Sequence, residues 1–305
     1  LSGTIFNVTI NSLSKVNIPV TLTQYTKNKP PTITQTMSTA GKFQFTNLNK
    51  DLTKLSIEVT YQKVTYEKNI SLDQNLFELI EILIYETTSE LTDLKIKDET
   101  MVITGINRRY SLMGVLQTIK VSNTNNKTFL PSPEETGPMG LFRVSLLPGA
   151  EELEVQTSLP SGGHIIQVDR GIALTLPIPP GDHEFIIVYK TSYHNETLPY
   201  DRRFALPTSI FRIMLPDTLG SIISETMTID STIKIGGTHY QTFITSEKQP
   251  NERLQAVFFN LPKKTFTEKL LNFTEKEYVR QISIPIATGL FLIVFLGIKL
   301  NLFLK

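Results

Sequence analysis

The residues of this chain whose types can do chemistry are few and widely spaced. Four histidines stand at His164, His183, His194 and His239. A helical metal site places two imidazoles at i and i+4, and a strand site places them at i and i+2, so that both rings share a face. No pair here has either spacing, and neither H-E-x-x-H nor another zinc-peptidase signature occurs. The chain has no cysteine, which removes disulfides, thiolate metal ligands and a thiol nucleophile together. Ser161 precedes Gly162-Gly163-His164, but no Gly-x-Ser-x-Gly elbow is present to raise a serine nucleophile on a strained turn. Glu151 and Glu152 are adjacent and would point to opposite faces of a strand, which does not suit a paired acid and base. The stretch EETGPMG has glycines but lacks the Lys-Ser/Thr of a phosphate loop. Arg108-Arg109 and Arg202-Arg203 read as small basic spots on solvated turns. These residues lead to no expected catalytic residue, metal or cofactor. A copper or zinc site assembled across strands has no support in the spacing.

The elements that would carry such residues are strands. Over residues 1 to 86, the runs GTIFNVTI, IPVTLTQY, GKFQFTNL, LSIEVTYQ and VTYEKNISL alternate with period two, separated by turn-rich pieces such as NKPP and STAG. FELIEILIYE fits a helix by periodicity, but Ile80, Ile82, Ile84 and Tyr85 favour a strand. Short strands at this spacing predict an antiparallel sandwich. Gly41 supplies the positive φ of a tight turn. Phe43 and Phe45 then point to one face and fill the core.

These runs resemble the carboxypeptidase regulatory-like (transthyretin-like) β-sandwich family. Gly3 stands in the opening strand, and Pro19, Val20 and Leu22 in the second. Thr39, Gly41, Phe43, Phe45 and Leu48 form the turn and strand that follow. Ala40 replaces the usual acidic turn residue, and Val59 and Tyr61 stand where a Tyr strand is expected. The resemblance covers about the first quarter of the chain and implies a fold and a non-catalytic role.

Residues 90 to about 262 continue in runs such as SLMGVLQTIKVSN and HEFIIVYKTSY, punctuated by Pro and Gly. They predict a second, larger all-β unit, either a sandwich or two packed sheets. The phrase order of this region is similar to that of prokaryotic exported proteins that join the regulatory-like module to a β region and end in one membrane helix. Residues 263–280 suggest a short amphipathic helix or stalk, with Phe266, Leu270 and Phe273 on one face.

From Ile282 to Ile298 the chain carries no charge, and Leu300 to Leu304 extends the run. A bilayer core of about 30 Å needs about 20 apolar residues in a helix, with Lys299 snorkelling to the headgroups. Lys299 and Lys305 lie beyond the span without an acid, whereas Lys276 and Arg280 are mixed with Glu275 and Glu277. That bias places the C-terminus inside and the bulk of the chain outside. Such a location calls for a signal peptide that has been removed. Five Asn-x-Ser/Thr sequons, at Asn7, Asn69, Asn126, Asn195 and Asn272, agree with an outside location. Pro285, Ala287, Thr288 and Gly289 form a smooth patch that suits contact with another membrane helix.

Of the 305 residues, 40% are hydrophobic and 19% charged, and the formal charge of +1 offers no global field for nucleic acid. The expected organisation is a β-sandwich over 1–88, a second all-β unit over 89–262, a stalk over 263–280 and a transmembrane helix over 281–304. The expected role is a non-catalytic accessory or scaffolding subunit, bound to an integral membrane protein and to the bilayer. A metal-handling or assembly factor and an adhesion or envelope protein are the alternatives. No nucleic-acid partner or small-molecule substrate is identified.

Overall fold

The computed structural model of the protein describes residues 1–71, 79–137, 140–159, 163–168 and 170–265. Strand dominates, and the fold is all-β. Two hydrophobic cores divide the described chain, one drawn from Ile5 to Ile84 and one from Leu94 to Leu261.

The first core lies between two sheets. Strands β1 (Ser2–Asn7), β2 (Ser12–Leu13), β5 (Lys42–Gln44) and β8 (Ile80–Ile84) form one; β3 (Pro19–Thr26), β4 (Lys29–Met37), β6 (Leu52–Tyr61) and β7 (Val64–Ile70) form the other, in the order β4-β3-β6-β7. Alternation decides what is buried. Val20 and Leu22 of β3, Leu55, Ile57 and Val59 of β6, and Ile80, Ile82 and Ile84 of β8 all turn inward. Phe43 and Phe45 are both buried, with ring centroids 6.1 Å apart and edge to face. Gly41 has φ +74°, the left-handed turn geometry its sequence context predicts. Gly3 has a different constraint: a Cβ there would lie 2.2 Å from the Phe43 ring and 2.5 Å from the Ile80 carbonyl oxygen. Only a bare backbone lets β1 pass between Phe43 and β8.

The turn that NKPP signals is tight: Lys27 and Asn28, the latter at φ +61°, join β3 to β4, and Lys29, Pro30 and Pro31 already belong to β4. Pro30 and Pro31 are tolerated because β4 ends its sheet, where a missing donor breaks no ladder.

The junction follows. The two-residue strands β9 (Thr87–Thr88) and β12 (Thr128–Phe129) pair in parallel, and Leu130 packs against the first core. Tyr66 Oη lies 2.8 Å from Thr128 Oγ1, and Thr9 Oγ1 donates to the Asn126 carbonyl at 2.6 Å. Glu86 receives Asn7 Nδ2, Tyr61 Oη and Gln62 Nε2 at 2.7, 2.8 and 2.6 Å. Asn7 is thereby buried and occupied, so the first sequon is closed in the folded chain, whereas Asn69, Asn126 and Asn195 are exposed.

The second core is enclosed by three sheets. The largest runs β14 (Glu151–Thr157), β17 (Gly181–Ser192), β11 (Leu112–Asn123), β10 (Leu94–Asn107), β19 (Phe211–Pro216), β22 (Thr238–Thr245) and β21 (Thr228–Ile235). A second pairs β13 (Phe142–Ser145), β16 (Gly171–Leu174) and β15 (Ile165–Val168). The third pairs β18 (Leu198–Arg203), β23 (Arg253–Phe259) and β20 (Ser221–Ile223). One α-helical turn, α1 (Pro133–Thr136), and a 3-10 turn, Asp217–Leu219, interrupt the strands. The pair Glu151-Glu152 departs from simple alternation. A bulge between Glu151 and Glu154 puts Glu152 at φ +52°, leaving both carboxylates exposed and Glu152 paired to Lys190.

Among the described residues no helix is long and apolar enough to cross a membrane. The expected stalk beyond Thr265, the span 281–304, the sequon at Asn272 and the patch of Pro285, Ala287, Thr288 and Gly289 lie outside the described residues, as does Ser161.

Candidate functional site

The chemically loaded place in the described chain is inside the second core, at residues that looked solvated in sequence. Arg202 is not on a turn. It lies on β18, where Leu198, Tyr200 and Arg202 alternate inward and Asp201 and Arg203 outward, and it is 4% exposed. Its guanidinium meets the carboxylate of Glu99, itself fully buried, through Nη1 at 2.7 Å and Nη2 at 3.0 Å. Two charges can share a core only in such a fork-to-fork contact with their remaining polar atoms satisfied.

A bulge puts Glu99 there. Leu94 and Ile96 of β10 face the core, and uninterrupted alternation would bring Asp98 in and send Glu99 out. The pairing with β11 slips between Ile96 and Asp98, which reverses the phase. Glu99, Met101 and Ile103 then turn inward, and Asp98 turns outward to Arg212, 2.8 Å away.

The pair is supported on all sides. Gln117 Nε2 donates to Glu99 Oε1 at 2.7 Å and to the Ser145 carbonyl at 3.1 Å. Tyr189 Oη donates to Gln117 Oε1 at 3.3 Å and accepts from the Leu147 amide at 3.1 Å. The guanidinium lies between two aromatic faces, 4.4 Å from the Phe204 ring centroid and 4.5 Å from that of Phe211. Burial by itself would favour a neutral Arg202, but Glu99 outweighs it and holds the guanidinium charged. Burial pushes the Tyr200 phenol up to about 12 and the Tyr189 phenol up as well. Tyr200 and Arg202 also meet each other in the core, and that contact favours the charged guanidinium.

Above this pair lies a cavity of about 740 Å³. Arg143, Arg170, Arg202 and Arg203 line it, with Asp201 as the carboxylate among its lining residues. Asp201 is already engaged: Arg253 grips it at 2.7 and 2.6 Å, and Arg170 approaches to 3.8 Å. Those contacts, the Arg253 hydrogen bonds first, hold the Asp201 carboxyl below its ordinary range.

The histidines stay apart. His164 and His194 are exposed in loops, and His239 is exposed near the turn between β21 and β22. His183 is on β17, where Nε2 donates to the Pro179 carbonyl at 2.8 Å. Among the described residues no three His, Cys, Asp or Glu side chains gather as metal ligands would. Of the sequence-stated basic pairs, Arg108-Arg109 does sit at the exposed β10–β11 turn. A period-two reading of LPYDRRF was available and would have put Arg202 in register with Leu198, Tyr200 and Phe204.

No protein-family model and no curated protein matches the sequence. Among solved structures, an M1 zinc metallopeptidase from Deinococcus radiodurans is similar over 54% of this chain and 42% of its own, at 12% identity and a TM-score of 0.34. A putative protease from Parabacteroides distasonis is similar over 55% of this chain and 41% of its own, at 8% identity and a TM-score of 0.31. The chain thus spans less than half the length of the solved proteins it matches, and likeness at this level carries no argument about fold or activity.

Proposed function

We propose that the protein is a non-catalytic binding subunit, built as two β-sandwich-like units outside the cell membrane and tethered by one helix over 281–304. The first unit is a module of the carboxypeptidase regulatory-like kind, and the partner is an integral membrane protein in the same bilayer. The charge-free run from Ile282 to Ile298, followed by Lys299 and Lys305, carries this reading, because it has the length and flanks of an anchor with its C-terminus inside.

The described fold supports a role in binding through its strand edges. β4 ends its sheet with Ile33 67% and Met37 54% exposed, and β21 ends the largest sheet with Ile229, Ile233 and Ile235 exposed. Such edges add a partner's strand by main-chain hydrogen bonding. The anchor contributes small residues, Ala287, Thr288 and Gly289, whose low profile lets another helix approach closely.

The test is purification from native membranes in mild detergent. An integral membrane protein should accompany the chain in fixed ratio, and Gly289→Leu should weaken that association while leaving insertion intact. Recovery of the chain alone, under conditions that preserve other complexes of the same membrane, would refute the reading.

A further inference from the structure

We propose that β21 is an interface between two copies of this chain, which join edge to edge as antiparallel strands about a two-fold axis at Thr232. This names the occupant of one edge discussed above, resting on the edge-binding reading for β21 alone and needing neither the tether nor the membrane partner. Among the described residues β21 ends the seven-stranded sheet, and nearly all of it is exposed. Such an edge is a template for another strand. The hairpin turn Gly236-Gly237, with φ +54° and +89°, fixes what the edge offers. Ile235 pairs with Thr238, and Ile233 with Tyr240. The alternation of an antiparallel ladder then turns the N–H and C=O groups of Thr232 and Lys234 away from β22, to the open side.

Charge selects the occupant and the register. Asp230 and Lys234 flank Thr232 at equal spacing, and both are exposed. In an antiparallel pair centred on Thr232, Asp230 of each copy faces Lys234 of the other, and the two-fold axis makes that ion pair twice. Centring the pair on Lys234 would set lysine against lysine, and centring it on Asp230 would set carboxylate against carboxylate. The registers between leave both charges opposite uncharged residues. The favoured register also brings the exposed Ile233 of each copy to diagonal positions, where the two side chains cover each other. Ser231 Oγ donates to Asp230 Oδ2 at 3.1 Å and holds the carboxylate beside the strand. The bulge between Ile229 and Ser231 keeps the ladder short, from Asp230 to Lys234. Other edges lack this match. β4 opens on Pro30 and Pro31, which have no N–H to give, and β14 carries Glu151, Glu152 and Glu154, whose like charges oppose self-pairing.

The chain has no cysteine, so one introduced thiol reports one position. Residues opposed across a ladder bring their Cα atoms to about 5.5 Å, within disulfide reach. The full chain in detergent, carrying Thr232→Cys, should therefore give a disulfide-linked dimer on mild oxidation. Ile33→Cys, on the exposed edge of β4, should stay monomeric. Light scattering reads the dimer of the parent chain, and Asp230→Lys or Lys234→Asp should each weaken it about tenfold. Mixing the two single variants should restore association, because each lysine then faces an aspartate; misfolded variants would not recover on mixing. A parent chain that is monomeric at every concentration, a dimer indifferent to both charge variants, or linkage at Ile33→Cys as ready as at Thr232→Cys would overturn the proposal. So would a mixed disulfide between Thr232→Cys and a co-purifying membrane protein, since the edge would then belong to that partner. A monomer that retains its membrane partner would separate failure here from failure of the tether reading.

Discussion

Arg202 and Glu99 are each tolerable in the core only because the other is there. Arg202→Met removes one charge and strands the other, which should cost about 3–5 kcal/mol in a denaturant titration. Glu99→Leu together with Arg202→Met removes both, and packing residues of similar size should recover most of that loss. A double variant as unstable as the single one would mean that the network of Gln117 and Tyr189, rather than charge pairing, sets the energy. Composition puts Arg202 on a solvated turn, and the structure corrects that reading, although one clue to its burial is in the sequence. The parity of Leu198, Tyr200, Arg202 and Phe204 assigns Arg202 to an inner face by period two. Glu99 was not legible, because a one-residue slip at Lys97 inverts the alternation and no residue type announces it.

Strands of the first core were readable wherever apolar residues alternate, as in β3, β6 and β8. Phe43 illustrates why. Its burial follows from a glycine turn at Gly41 and an inward position two residues later. Phe43→Ala should therefore cost about 3–5 kcal/mol by chemical denaturation. Wild-type stability would break the register argument for β1, β5 and β8. Strand β4 was missed for a physical reason: an edge strand facing solvent needs no apolar alternation, and its Pro30-Pro31 start mimics a turn. β18 was missed similarly, because its inward arginine looks polar until its partner is known.

On the scale of the whole molecule, the two cores meet through Glu86, Tyr66, Thr128 and Leu130, so local chemistry at the junction should be felt by both. Burial pushes the Glu86 pKa up, but the hydrogen bonds from Tyr61, Asn7 and Gln62 outweigh it and hold the carboxyl below its ordinary value. A carboxyl with a depressed folded-state pKa stabilises the fold above its unfolded value, and that contribution is lost as pH falls through the folded pKa. Glu86→Gln should accordingly melt earlier than the parent at pH 7. The gap should close below the ordinary carboxylate range, about pH 4. A gap independent of pH would assign the effect to packing. None of these junction contacts was legible, since each joins residues far apart in sequence. The central claim is that the β units lie outside the cell and are tethered by the tail. Protease added to intact cells or spheroplasts tests it most directly. The account predicts loss of residues 1 to 280 and survival of a tail-sized fragment in the membrane. Full protection of the β units, with degradation only after the membrane is opened, would contradict it.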